Sequence, residues 1–117
     1  VTIAYLATTA IVALIVAFSA AGKIRRDPAI VKVIVETVGV PDKYLMALAG
    51  CELAGALGLL VGIVWPPVGI AAAVGLVIYF VGAVVSHLRV GDVKGLGPAV
   101  FMLFVVSAAL VLRFATA

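Results

Sequence analysis

The sequence predicts an all-α integral membrane protein, a four-transmembrane-helix bundle with a short interfacial helix between spans one and two. Three observations predict it. The 117 residues are 67% hydrophobic and only 11% charged, against roughly 45–50% and about 25% in an ordinary soluble domain. The mean hydropathy is +1.42, and a chain this short cannot hide so much apolar surface in one core. Asn and Gln do not occur, which fits a chain in lipid, where an unpaired amide is costly to bury.

A helix needs about 20 apolar residues to cross a bilayer. Residues 2–22 carry no charge and end at Gly22-Lys23, which makes span one. No basic region precedes this run and it is long enough to cross, so it is expected to be a retained helix rather than a signal peptide.

Lys23, Arg25, Arg26, Asp27, Lys32, Glu36, Asp42 and Lys43 follow in a charged stretch. Within it, Asp27 can cap a helix, Pro28 suits its first position, and Gly39 with Pro41 can stop it. Residues 28–38 are therefore expected to form a helix lying on the membrane surface, with Lys32 and Glu36 on the polar side. Residues 44–88 hold one charge, Glu52, and one break, Trp65-Pro66-Pro67. Paired prolines stop a helix, so spans two and three are placed at about 44–64 and 68–88, an antiparallel hairpin with Trp65 as an interfacial anchor. Residues 89–98 read as a polar, glycine-rich loop, and 99–114 as span four. All 117 residues form a single membrane domain in this reading.

Every Lys and Arg except Arg113 lies after span one or after span three. The positive-inside rule then places the 23–43 and 89–98 loops in the cytoplasm and both termini outside, in a multi-pass bacterial-type cell membrane. The net charge of +3 is thus assigned to lipid headgroups. With no basic helix face and no aromatic platform, nucleic acid is not an expected partner. The expected partners are the bilayer and either another protein or a second copy.

Glu52 is the most informative residue. It sits roughly 12 Å into span two at 1.5 Å per residue, where a carboxylate must be paired, protonated or hydrated. It is a candidate ligand or proton site, or else a carboxyl that joins helices. Tyr79 reaches a similar depth and could donate a hydrogen bond to it; so does Ser107. His87 and Lys23 lie nearer the edge, where basic chains usually reach outward to headgroups, though one could turn inward to Glu52. A lone His87 and a lone Cys51 provide no metal site and no two-thiol redox pair. Cys51, Gly55, Gly58 and Gly62 share a face of span two, and Gly75 and Gly82 lie on a small face of span three. Both faces are expected to be packing surfaces, since small residues let helices approach closely in lipid. There is no phosphate-binding glycine loop, catalytic triad pattern or haem-attachment motif, so catalytic residues are not assigned and no cofactor is evident.

Gly22-Lys23 closing span one, Glu52-Leu53-Ala54-Gly55 in span two, Gly82-Ala83 before His87-Leu88, and Gly91-Asp92 resemble the DoxX-like proteins. The resemblance runs from about Phe18 to span four and implies a compact four-helix membrane bundle. The family's namesake is similar to a small subunit of a thiosulfate:quinone oxidoreductase; other relatives accompany redox-protective enzymes or assist receptor assembly. It implies an accessory membrane subunit, not catalytic alone, that would meet a quinone through a partner, with Lys23, Glu52 and His87 as the positions to test. The chain lacks the second cysteine that a thiol-redox role would want. Two other expectations stand beside this one: a small proton-coupled transporter using Glu52, and an assembly or chaperone protein without catalysis.

Overall fold

The computed structural model describes residues 2–116. Helix α1 spans Thr2–Ile24, α3 Leu45–Val61, α4 Pro66–Arg89 and α5 Val93–Thr116, with the one-turn helix α2, Pro28–Val31, in the first connection. There is no strand among the described residues. Four stretches are long and apolar enough to cross a membrane. Around the bundle the order is α1, α3, α4, α5, with α5 closing back on α1. Each long helix therefore packs on its sequence neighbour, as short connections require. The longest dimension, 42 Å, matches a bilayer with its headgroup regions.

The core is apolar and built from small and medium side chains: Val12, Ala13 and Val16 of α1, Ala56 and Leu59 of α3, Ala73, Leu76 and Phe80 of α4, Val106 and Ala109 of α5. The outer surface is equally apolar. Ile3, Leu14, Phe18, Val64 and Phe104 are each at least 70% exposed, which water would not tolerate and lipid does.

Each connection follows local chemistry. The Asp27 side chain accepts from the Ala29 N–H at 3.1 Å and Pro28 takes the first helical position. The expected 28–38 helix forms, but only its first turn is α; residues Lys32–Val38 widen into a π-helix. This run is rich in β-branched residues, whose side chains crowd the i+3 and i+4 neighbours of an α-helix. Gly39 ends it at φ 90°, the left-handed conformation that glycine adopts without strain. A short 3-10 turn, Asp42–Tyr44, leads into α3. Trp65 is exposed and Pro66 and Pro67 open α4.

Two helix ends are closed in the same way. After α1, Asp27 N–H bonds Gly22 C=O and Arg26 N–H bonds Lys23 C=O; after α4, Asp92 N–H bonds His87 C=O and Gly91 N–H bonds Leu88 C=O. This is the paired 6→1 and 5→2 closure, which needs a left-handed residue. Gly91 supplies it at φ 68°, whereas at the first end Arg26 adopts it at φ 55°. Arg26 is also tied to Asp42 by an ion pair across the connection.

Span four corrects the sequence reading. Residues 93–98 are helical, not loop, so α5 has 24 residues and includes Pro98. The glycines at 95 and 97 and the proline argue locally against a helix. Asp92 outweighs them, because its carboxylate accepts the Gly95 N–H at 3.1 Å and starts the first turn.

Candidate functional site

The site is built at the end of the bundle where α1 finishes and α3 begins. Glu52 is fully buried. Lys23, in the last turn of α1, is 7% exposed and its Nζ lies 2.6 Å from Glu52 Oε1. The same ammonium donates to Ser19 Oγ at 3.0 Å. Ser19 is one turn deeper than Lys23, so this lysine turns into the bundle instead of outward to headgroups. The pairing is what makes the carboxylate affordable in a low-dielectric interior. Glu52 Oε2 is buried without a hydrogen-bond partner. Tyr79 of α4 lies beside the same carboxyl and packs edge-on against Phe80, ring centroids 4.9 Å apart.

Lys23, Ser19, Tyr79 and Ser86 form the polar part of a cavity of about 370 Å³. Its other walls are apolar, with Val38, Leu48, Phe80 and Met102. The volume falls in the range of small-molecule sites, roughly 300–1,000 Å³.

His87 is not part of this cluster. Its Nδ1 is 2.9 Å from Asp92 Oδ2, and together they fix the α4–α5 connection. The Gly95 N–H and then the His87 ring hold the Asp92 carboxyl below its ordinary range. Ser107 forms no hydrogen bond with Glu52. No group of three His, Cys, Asp or Glu side chains that could hold a metal ion occurs among the described residues.

The small-residue faces divide. A Cβ added at Gly55 would meet Leu76 Cδ2 at 2.5 Å and one at Gly58 would meet Ala72 Cβ at 2.6 Å, while Gly62 lies against the backbone of Gly69. These three set the close approach of α3 to α4. Gly75 and Gly82 do not: each is exposed, with nothing within 4 Å of an added Cβ. Cys51 is exposed too, rather than buried among the glycines. Gly55, Gly58 and Gly62 face α4, and Cys51, one turn before Gly55, lies on an open groove between α3 and α4 that Gly55, Gly58 and Gly75 also line.

One buried charge escaped the sequence reading. Arg113, at the far end of α5, is 7% exposed. Its Nη1 donates to Tyr5 Oη at 2.9 Å and to the Gly62 carbonyl at 3.0 Å. The guanidinium also lies 4.3 Å from the Tyr5 ring centroid. It joins α5 to α1 and to the end of α3. Tyr5 was the available signal, since an aromatic with a polar tip near the same membrane face as Arg113 is a natural partner.

Among known proteins, the model of the DoxX-like family matches residues 7–110. No curated protein and no solved structure matches the chain. The match takes in Lys23, Glu52, Tyr79, His87 and Asp92 and spans all four helices, so the chain belongs to the DoxX-like family.

Proposed function

We propose that this chain is an accessory membrane subunit of a quinone-linked oxidoreductase complex and is not catalytic alone. The observation that carries the reading is Lys23, paired behind the wall with buried Glu52, standing with Tyr79 at the wall of a largely apolar cavity. A buried ion pair is a poor device for stability, because desolvation offsets most of its attraction. Placed at a cavity, it gives directed donors in an apolar surround, which is how small-molecule sites are built.

The residues fit a quinone head. Lys23 and Tyr79 would donate to a ring carbonyl oxygen, and Phe80 and Met102 would hold the ring. A bound quinone supplies two-electron, two-proton carrier chemistry; the electrons would come from the partner enzyme.

Proton-coupled transport has one observation in its favour, the complete burial of Glu52. Against it, Lys23 already neutralises that carboxylate, and the apolar core separates it from the polar contacts of Arg113. An assembly or chaperone role would leave Glu52 a purely structural joint. We also place the Lys-rich end in the cytoplasm, on the basic-residue asymmetry. Reporter fusions at the C-terminus should then be active outside and inactive inside.

The test is purification from the native membrane in mild detergent, with co-purifying proteins and lipids identified by mass spectrometry. A stoichiometric oxidoreductase or quinone is expected. A clean homo-oligomer whose proton-coupled uptake is lost in Glu52→Gln would overturn the reading in favour of transport.

A further inference from the structure

A second cavity, of about 510 Å³, lies above the first at the same end of the molecule. The two share Ser19, Lys23, Ile34 and Pro98. Their walls differ in character. The inner one is mostly apolar, with side chains from the π segment, α3, α4 and α5. The outer one brings together Lys23, Lys32 of the π segment and Lys94 in the first turn of α5, with His87 and Asp92. Lys23 is balanced by Glu52. Asp92 is engaged by His87 and Gly95 and lies within electrostatic range of Lys94. Neither Lys32 nor Lys94 forms an ion pair among the described residues, and Glu36, further along the π segment, does not line the cavity. The rim is left net positive.

We infer that this pair of cavities binds one anionic phospholipid of the bilayer, its phosphate between Lys32 and Lys94 and one acyl chain in the inner cavity. Charge complementarity selects the head, as basic pockets between membrane helices do for acidic lipid headgroups. The apolar continuation past Lys23 selects an acyl chain; a free phosphate gains nothing from Phe80 or Met102. The location agrees, because Lys94 sits in the first turn of α5 and Lys32 in the connection between α1 and α3, both outside the apolar middle of the bundle. The acyl chain and a quinone head are alternative occupants of the inner cavity; the inference stands on Lys32 and Lys94 and does not depend on a redox partner, so it can fail while the proposed function holds.

The test uses the full chain in an uncharged mild detergent and titrates phosphatidylglycerol and phosphatidylcholine of identical acyl chains, read by native mass spectrometry. Both lysines are exposed, so Lys32→Ala and Lys94→Ala should fold; equal thermal midpoints confirm it. One phosphatidylglycerol should bind per chain in preference to phosphatidylcholine. Each lysine removed should weaken it about fivefold, and the double variant about 25-fold. Lys43→Ala, at an exposed lysine outside both cavities, should change nothing, and inorganic phosphate at the lipid's concentration should not compete. Equal binding of the two lipids, displacement by inorganic phosphate, or a double variant that binds like wild type would overturn the inference.

Discussion

The two ends of the bundle each bury a basic side chain, and they do so differently. At the end where α1 meets α3, Lys23 meets a full counter-charge in Glu52 and stands beside two cavities. At the other end Arg113 meets only a phenol, a ring face and a carbonyl, in tight packing. In the first arrangement Lys23 lines open space; in the second the guanidinium lines neither cavity and joins three helices, although each end leaves one buried polar atom, Glu52 Oε2 or Arg113 Nε, without a hydrogen-bond partner. A buried charge is therefore not a functional signal in itself. The cavities that Lys23 lines make the difference.

The largest expected effect falls at the ion pair. Lys23→Met alone or Glu52→Leu alone leaves an uncompensated buried charge and should cost about 3–5 kcal/mol, whereas the double variant should be close to wild type. Unfolding of the three variants in the same detergent measures this. Equal losses in single and double variants would mean that the pair is a staple like Arg113, and would erase the contrast.

A smaller effect sharpens the packed end. Gly62 and Gly69 touch backbone to backbone, so Gly62→Ala should cost about 1–3 kcal/mol through overpacking. Gly75→Ala, at an exposed position of α4, should be neutral or stabilising by up to about 1 kcal/mol, the helix propensity gain. Thermal midpoints of the two variants decide it.

Tyr5→Phe removes one acceptor from Arg113 but keeps the ring beneath it. A loss of about 1–3 kcal/mol is expected, the cost of a buried donor left unpaired, with no change in lipid or partner binding at the other end. A change in such binding would show that the two ends are coupled.

The mildest effect is on pH. Asp92 has its carboxyl held low, so its contribution is present above its ordinary value of 3.8. That contribution is lost as the pH falls through the lower folded value. Protection of the Gly95 amide, taken relative to its intrinsic exchange rate at each pH, should persist below pH 3.8 and be lost as the pH falls through the lowered folded value. Asp92→Asn should remove that acid step.

How much of this was legible follows from whether the cause is local. The spans were readable because each is a continuous apolar run, and Glu52 because it is the single charge in 45 residues. Lys23 could be named as one of several basic residues able to reach it. Its selection depended on α1 packing against α3, which no run of residues declares. How closely the helices approach was hidden for the same reason: small residues occur on several faces, so Cys51, Gly75 and Gly82 read as packing positions although they are exposed, Cys51 and Gly75 on a groove between α3 and α4 and Gly82 on the inner cavity. Arg113 and Tyr5 lie 108 residues apart, beyond any motif. The helical start of α5 was masked by Gly95, Gly97 and Pro98, and the left-handed turn at Arg26 by the absence of a glycine there.

The most direct test of the central claim is co-purification with the Lys23→Met/Glu52→Leu double variant. If the ion pair serves a site rather than the fold, the variant should assemble and resist heat as the wild type does, yet lose its stoichiometric oxidoreductase or quinone. A variant that keeps both would contradict the account and reduce Lys23 and Glu52 to one more joint between helices.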